Sequence, residues 1–316
     1  MSAPEAAGSP PSASSVEILL VGEALIDIVH RTDGRVDESP GGSPANVALT
    51  LGRLGDAPEL VTALGADAHG RQIRTWLAAS DVRVRGHKVD RTATATARLA
   101  ADGSATYDFD ILWNLPEGLL PEHPGIVHTG SIAAFLRPGA DAVRRILEAA
   151  HGRALVTYDP NVRPALLPDV DEARRTVEAL VALADVVKAS DEDLLWLYPG
   201  REPLEIAAAW RATGPAVVIV TLGGQGSAAV TATGVSRVPG KRVQVVDTVG
   251  AGDTFMGALI HGLAAEGCVG SGGRERVEML SKDVMERILD FAATAAAITV
   301  SRPGADPPRL AELTSI

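Results

Sequence analysis

Two rhythms of apolar positions alternate along this chain. Runs such as "GIVHTGSI", "ALVTYDPN", "DVVKAS" and "AVVIVTLGGQG" are short, rich in β-branched residues and bounded by glycine or polar residues. That pattern predicts buried strands. "VEILLVGEALIDIV" reads as a buried first strand with a break at Gly22, and "PELVTALG" as another short strand. Between them, "ANVALTLGRLG", "GRQIRTWLAAS", "GADAVRRILEAAHG", "VDEARRTVEALVALA", "DEDLLWLYPG" and "VMERILDFAATAAAITV" repeat at helical spacing, with Gly55 as a stop signal. Further on, "GSAAVTATGVSRVPG" predicts a pair of small strands, and "VQVVDTVGAGDTFMGALIHGLAAEG" a strand, a turn and a helix. Strands alternating with helices predict an α/β fold: a mostly parallel sheet with helices on both faces.

Two segments break the rhythm. "HRTDGRVDESP" reads as a polar hairpin. From Val89 to Leu115, "TATATARLAADGSATYDFDIL" alternates on either side of a turn at Asp102-Gly103, a β-hairpin signal with few large apolar residues. This predicts a thin exposed sheet set apart from the core. The first 15 residues, "MSAPEAAGSPPSASS", lack a basic start and an apolar stretch, so they read as a disordered tail, not a signal peptide.

Composition narrows the function. With 46% hydrophobic and 22% charged residues among 316, the chain fits one large α/β domain with a full core. A formal net charge of -11 argues against nucleic acid or anionic membrane as partner. A single cysteine, Cys268, excludes an internal disulfide and a cysteine metal cluster and fits a cytoplasmic setting. No apolar run reaches the roughly 18 residues needed to span a bilayer.

In open parallel sheets, ligands bind beyond the carboxyl ends of the strands. Those ends hold Asp27, Gly130-Ser131, Asp159-Asn161-Arg163, Lys188-Ser190, Thr221 to Gly226 and Asp247 to Asp253. In "VDTVGAGDTFMG", Gly250, Ala251 and Gly252 fall at the turn into a helix, where unpaired N–H groups and the helix dipole make an anion site. Asp253 occupies the first turn. It reads either as a helix cap or as a carboxylate facing a hydroxyl that attacks a bound phosphate, taking the hydroxyl proton while the amides hold the transferring group. Ordinary nucleotide motifs are absent. "GVSRVPGKR" has five residues between Gly234 and Gly240, and Arg242 where a Walker loop needs Ser or Thr. No Gly-x-Gly-x-x-Gly follows a strand, which removes the basis for a dehydrogenase.

"GGSPANVALTLGRLG" and "DTVGAGDTFMGAL", with "GEALID" before them, "DPNVRP", "KASDED" and "TLGGQG" between them and "AAAITVSRPGA" after them, resemble the ribokinase-like (PfkB) carbohydrate kinases over about Val16 to Pro308. The resemblance implies a three-layer α/β/α domain over 16–316 with a mostly parallel central sheet. A small β-sheet lid is implied from segments about 31–41 and 88–115, closing over the sugar and able to pair into a homodimer. It implies Asp253 as catalytic base and Gly250, Ala251 and Gly252 as the anion hole. Asp27, Gly41, Gly42, Asn46, Asp159, Asn161 and Arg163 fall on the sugar side. Lys188, Ser190, Thr221, Gly223, Gly226, Ala293 and Ala296 fall on the ATP side. ATP and Mg2+ are implied, with Asp193 reaching the metal through water, and K+ beside the anion hole at Asp247, Val249 and Gly304.

Departures from the family pattern sharpen the substrate. Ser190-Asp191-Glu192-Asp193 stands where many relatives have Asn-x-x-Glu. Ser43-Pro44 replaces the Lys-Gly of the ribokinase type, which points to the fructokinase-like group. The alternative is a 2-keto-3-deoxygluconate kinase, whose substrate carboxylate suits an arginine at Arg163. Another sugar or nucleoside kinase, or a sugar-binding sensor on a kinase fold, also fits the residues.

Overall fold

The computed structural model describes residues 17–100, 105–116, 118–119 and 124–313. The expected tail and the Asp102-Gly103 turn lie outside them. The chain runs β1 (Ile18–Val21), β2 (Leu25–His30), β3 (Val36–Gly41), α1 (Ser43–Leu54), β4 (Glu59–Leu64), α2 (Ala68–Ala78), β5 (Arg83–Lys88), β6 (Ala93–Leu99) and β7 (Ala105–Asp110). It continues with β8 (Ile126–Gly130), α3 (Gly139–Ala150), β9 (Leu155–Asp159), α4 (Val170–Val181), β10 (Val186–Ser190), α5 (Asp191–Leu197), α6 (Pro203–Arg211), β11 (Val217–Thr221), β12 (Gly226–Thr231) and β13 (Gly234–Pro239). Four helices close it: α7 (Ala251–Ala265), α8 (Gly273–Met279), α9 (Lys282–Val300) and the short α10 (Leu310–Leu313).

Nine strands form one sheet in the order β13-β12-β11-β10-β9-β8-β1-β4-β5, and four form a second in the order β3-β2-β6-β7. From β11 to β5 every pairing in the large sheet is parallel; β12 and β13 add an antiparallel edge. Neighbouring residues of one strand face opposite layers, so both faces carry a core. Leu20 and Ile219 pack with Leu49, Met256, Leu259 and Ile288 on one side. Leu19 and Val218 pack with Leu147, Val177 and Trp210 on the other. The first side therefore belongs to α1, α7 and α9, and the second to α3, α4 and α6.

The structure corrects several expectations. "VEILLVGEALIDIV" is not one strand. Gly22 ends β1, and the chain crosses to the second sheet as β2, which pairs with β3 and β6. "VQVV" is not a strand either: residues 241–246 run without regular structure, with Val243, Val245 and Val246 exposed. Strand β5 and helices α6 and α8 carry weak signals and are additions. Strand β5, "RVRGHK", is a polar edge that pairs only with β4. The small sheet takes β3, β6 and β7 from the segments about 31–41 and 88–115 and adds β2, with β3 largely exposed and β6 half-buried.

Candidate active site

Two helices start at the same place. Helix α1 opens with Ser43-Pro44, and proline suits a first turn whose amide has no partner. Helix α7 opens after Gly250, which takes a left-handed conformation with φ 74, and has no capping side chain. Asp253 therefore does not cap its own helix. It is 6% exposed and turned toward α1. Ser43 Oγ donates to Asp253 Oδ1 at 2.7 Å, and Asn46 Nδ2 donates to Oδ2 at 2.8 Å. Asn161 Nδ2 reaches Oδ1 at 3.2 Å and Ser43 Oγ at 2.8 Å. A carboxylate fixed by three donors from two other segments is aimed, not free. Asn46 Oδ1 is buried with no partner among the described residues. A buried acceptor of that kind calls for a donor from a ligand.

Asn161 adopts φ 37, an uncommon left-handed conformation that asparagine tolerates better than most residues. Arg163 braces it: Nη1 donates to Asn161 Oδ1 at 2.5 Å, to Asn161 O at 2.9 Å and to Val162 O at 3.1 Å. Asp27, on β2, completes this side. Burial pushes its carboxyl up to about 6, with Arg163 pulling it down and Asp253 adding repulsion. Gly41 lies directly behind it, where a Cβ would meet Asp27 Oδ2 at 2.1 Å. Gly42 links β3 to α1 with φ 104. Asp27, Gly41, Gly42, Asn46, Asn161, Arg163 and Asp253 are thus gathered at one end of the sheet, beside the lid.

The amide of Ala251 donates to Thr248 O at 3.3 Å, so it closes its own turn. The amides that follow, at Gly252 and Asp253, open α7 and can meet an anion there, as the amides of an uncapped helix start do. Asp247 stands beside it. Its Oδ1 accepts Val249 N–H at 3.0 Å and its Oδ2 accepts Gly304 N–H at 2.9 Å. This carboxylate joins the three positions expected to flank a monovalent cation.

On the nucleotide side, Thr221 ends β11, and Gly223 and Gly226 form an open turn with φ 52 and 105. Ala293 and Ala296 are half-buried on α9. The loop of exposed valines is tied to the end of the same helix, where Val246 N–H donates to Val300 O at 2.8 Å. Ser190 and Asp193 form a capping box at the start of α5. Both Asp193 oxygens accept backbone amides, Oδ1 from Val162 at 3.0 Å and Oδ2 from Ser190 at 3.1 Å. Asp193 therefore ties the Asn161–Arg163 loop to α5. Among the described residues, no group of three or more His, Cys, Asp and Glu side chains is placed to hold a metal. A magnesium ion carried in by nucleotide phosphates still fits, because each Asp193 oxygen keeps a second lone pair for a bridging water.

Two expected residues are not brought to the open site. Lys188 and Asp159 are 3% and 0% exposed and paired with each other beneath α7. Two residues that sequence reasoning missed are present. Ser43 touches Asp253, and its signal was the serine in the first turn of the glycine-flanked helix. Glu23 is buried at the end of β1, where burial pushes it up to about 7 against its hydrogen bond from Ala133 N–H. Its signal was a carboxylate directly after an apolar run.

A family model described as "pfkB family carbohydrate kinase" matches residues 16–311. The chain belongs to the pfkB family of carbohydrate kinases. Among curated proteins it is 34% identical over 262 residues to a fructokinase of Klebsiella pneumoniae, covering 79% of this chain and 85% of that one. The fructokinase of Xylella fastidiosa with bound ATP superimposes with a TM-score of 0.82 at 28% identity, over 94% of this chain and 97% of that one. A double mutant of the fructokinase of Vibrio cholerae O395, with fructose, ADP and potassium ion bound, gives 0.80 at 26% identity, over 96% and 99%. This kinase is a sugar phosphotransferase with an alcohol group as acceptor. None of the helices among its described residues is long and apolar enough to cross a membrane.

Proposed function

We propose that this kinase transfers the γ-phosphoryl group of ATP to a hydroxyl of D-fructose, giving fructose 6-phosphate. One observation carries the reading: the Asp253 carboxylate, held by Ser43 and Asn46, sits in the first turn of the helix whose uncapped amides face the anion site. Asp253 takes the proton of the acceptor hydroxyl as its oxygen bonds to the γ-phosphorus. The bond to the β–γ bridging oxygen breaks and ADP leaves. The amides of Gly252 and Asp253 take up charge on the transferring group. Asp27 and Asn46 hold other sugar hydroxyls, a carboxylate accepting two donors and an amide giving and accepting.

Thr221, Gly223, Gly226, Ala293 and Ala296 line the nucleotide side, with the exposed loop valines as an apolar wall. Asp193 would hold a nucleotide-borne Mg2+ through water, which would supply positive charge to the phosphates. Asp247, Val249 and Gly304 would flank a K+ ion, which would supply positive charge beside the anion site. The four-stranded sheet closes over the sugar and excludes water. Its outer strands, β3 and β7, are also where a second copy would add strands.

The alternative acid-sugar substrate is disfavoured by Arg163, whose Nη1 is turned back on its own loop to brace Asn161. A coupled ADP-release panel tests the reading with fructose, glucose, ribose, 2-keto-3-deoxygluconate, adenosine and fructose 6-phosphate. Fructose is expected to give the highest kcat/KM. A clear preference for 2-keto-3-deoxygluconate would replace the substrate. Calorimetric sugar binding with no turnover of any candidate would make the protein a sensor.

Asp27 adds a pH test. With its carboxyl pushed up to about 6, it is a charged acceptor of two donors only above that pH, and below it one oxygen carries a proton. Sugar KM is expected to rise as pH falls through 6, by about tenfold per pH unit, while ATP KM stays flat. In Asp27→Asn the sugar KM should be high and no longer depend on pH. A sugar KM independent of pH in the wild type would remove Asp27 from the sugar site.

A further inference from the structure

Beneath the first turn of α7 lies an ion pair that the phosphotransfer chemistry does not use directly. Lys188, on β10, and Asp159, on β9, lie side by side on the sheet face that α7 covers. Lys188 Nζ donates to Asp159 Oδ2 at 2.7 Å, and both side chains are shut off from solvent. The same ammonium donates to the Gly252 carbonyl at 3.3 Å. A Cβ on Gly252 would lie 3.1 Å from Lys188 Nζ, so only glycine leaves the ammonium this close to the helix start without displacement.

The charges around it are lopsided. Burial works against the ammonium, but Asp159 and then Asp193 and Asp253 offset it, and its pKa lies above the ordinary lysine value. Asp159 is pushed up to about 6 by burial although Lys188 pulls it down. The remaining neighbour, His128, is driven down to about 3 by burial and then by Lys188, so it stays neutral and accepts or donates only toward Thr157 at 3.0 Å. One buried cation therefore faces three carboxylates at the point where an anionic phosphoryl group must arrive. A buried charge of this kind is costly unless paired, which is why Asp159 is needed.

We propose that Lys188, clamped by Asp159, is a positioning residue: it holds the Gly252 carbonyl from below, fixing the turn that carries Asp253 and the anion site, and offsets the surrounding carboxylates there. This rests on the phosphotransfer reading above. The ammonium touches neither sugar nor nucleotide. It acts through the backbone of Gly252 and through its field.

Lys188→Met tests this. Its kcat is expected to fall about 100-fold, the scale of a small misplacement of reacting groups. Affinity for ADP by calorimetry should stay within about threefold of wild type. The acid limb of the kcat profile should move up by about one pH unit, because the carboxylates lose their cation. Hydrogen exchange across residues 248–256 should quicken. Loss of ADP affinity in step with kcat would mean a direct phosphate contact and overturn the proposal. Unchanged exchange would overturn it as well.

Lys188→Met leaves Asp159 buried and unpaired, so Lys188→Met/Asp159→Asn removes both charges. That variant is expected to fold and still show low kcat and fast exchange. Wild-type kcat in it would count against the proposal. A wild-type protein that phosphorylates no sugar would sink the phosphotransfer reading, while the exchange measurement would still decide this one.

Discussion

Asp253→Asn is expected to lower kcat about a thousandfold to ten-thousandfold while leaving ADP and sugar affinity nearly unchanged. General-base catalysis is worth about that much. The substitution is close to isosteric, and the surroundings can absorb it. Its remaining carbonyl oxygen still accepts from Ser43. Its new amide would face the Asn46 amide, donor to donor, but Asn46 Oδ1 is unpartnered, so a flip of Asn46 presents an acceptor. The fold and the pocket should survive, and the lost proton acceptor should be the main change. Single-turnover kinetics and calorimetry on one preparation would check it. Near-normal turnover would remove Asp253 as the base. Loss of sugar binding would instead make it a ligand.

Asn46→Asp should do the opposite to the same pair. The shape is kept, but a donor 2.8 Å from Asp253 becomes a second carboxylate. Two carboxylates at that distance share a proton, and one of the two apparent pKa values rises by about 1 to 3. At the top of that range about half the molecules hold the shared proton at neutral pH, and turnover should drop about twofold at pH 7 and about 100-fold at pH 5. Activity should return as pH is raised toward 9, a recovery that simple loss of a sugar contact would not show. A pH–rate profile parallel to wild type would mean that Asn46 does not act through Asp253.

Much of the architecture was legible because buried parallel strands and amphipathic helices have different periods. The alternation placed most strands and helices, and the strand-end rule led to Asp27, Asn161 and Asp253. What it missed has physical causes. "LIDIV", apart from Asp27, is as aliphatic as "ILLV", so the apolar run alone does not show that Gly22 passes the chain to a second sheet. Strand β5 is polar because it is an edge. The three valines of residues 243–246 have a strand's composition, yet all of them face outward. Hydrophobicity alone cannot tell a buried ladder from an exposed apolar wall.

Charge was harder still. A lysine at a strand end reads as a phosphate ligand, but Lys188 is closed in by Asp159, which no spacing within "DPNVRP" or "KASDED" reveals. Ser43 was hidden because its partner lies 210 residues away. Contacts of that range are set by how α1 meets α7.

That meeting has a consequence for how such an enzyme can change. Helices α1 and α7 approach so closely that a Cβ on Gly257 would lie 2.6 Å from Thr50 Cβ. Asp253, Ser43 and Asn46 therefore move as one rigid block, and drift in either helix would misalign all of them. Asp27 and Arg163 stand outside the block, on the lid sheet and on a strand-end loop. On the proposed sugar site, diversification toward new sugars has its freedom there, and a library aimed at altered substrate choice should vary those two segments and leave the helix pair alone.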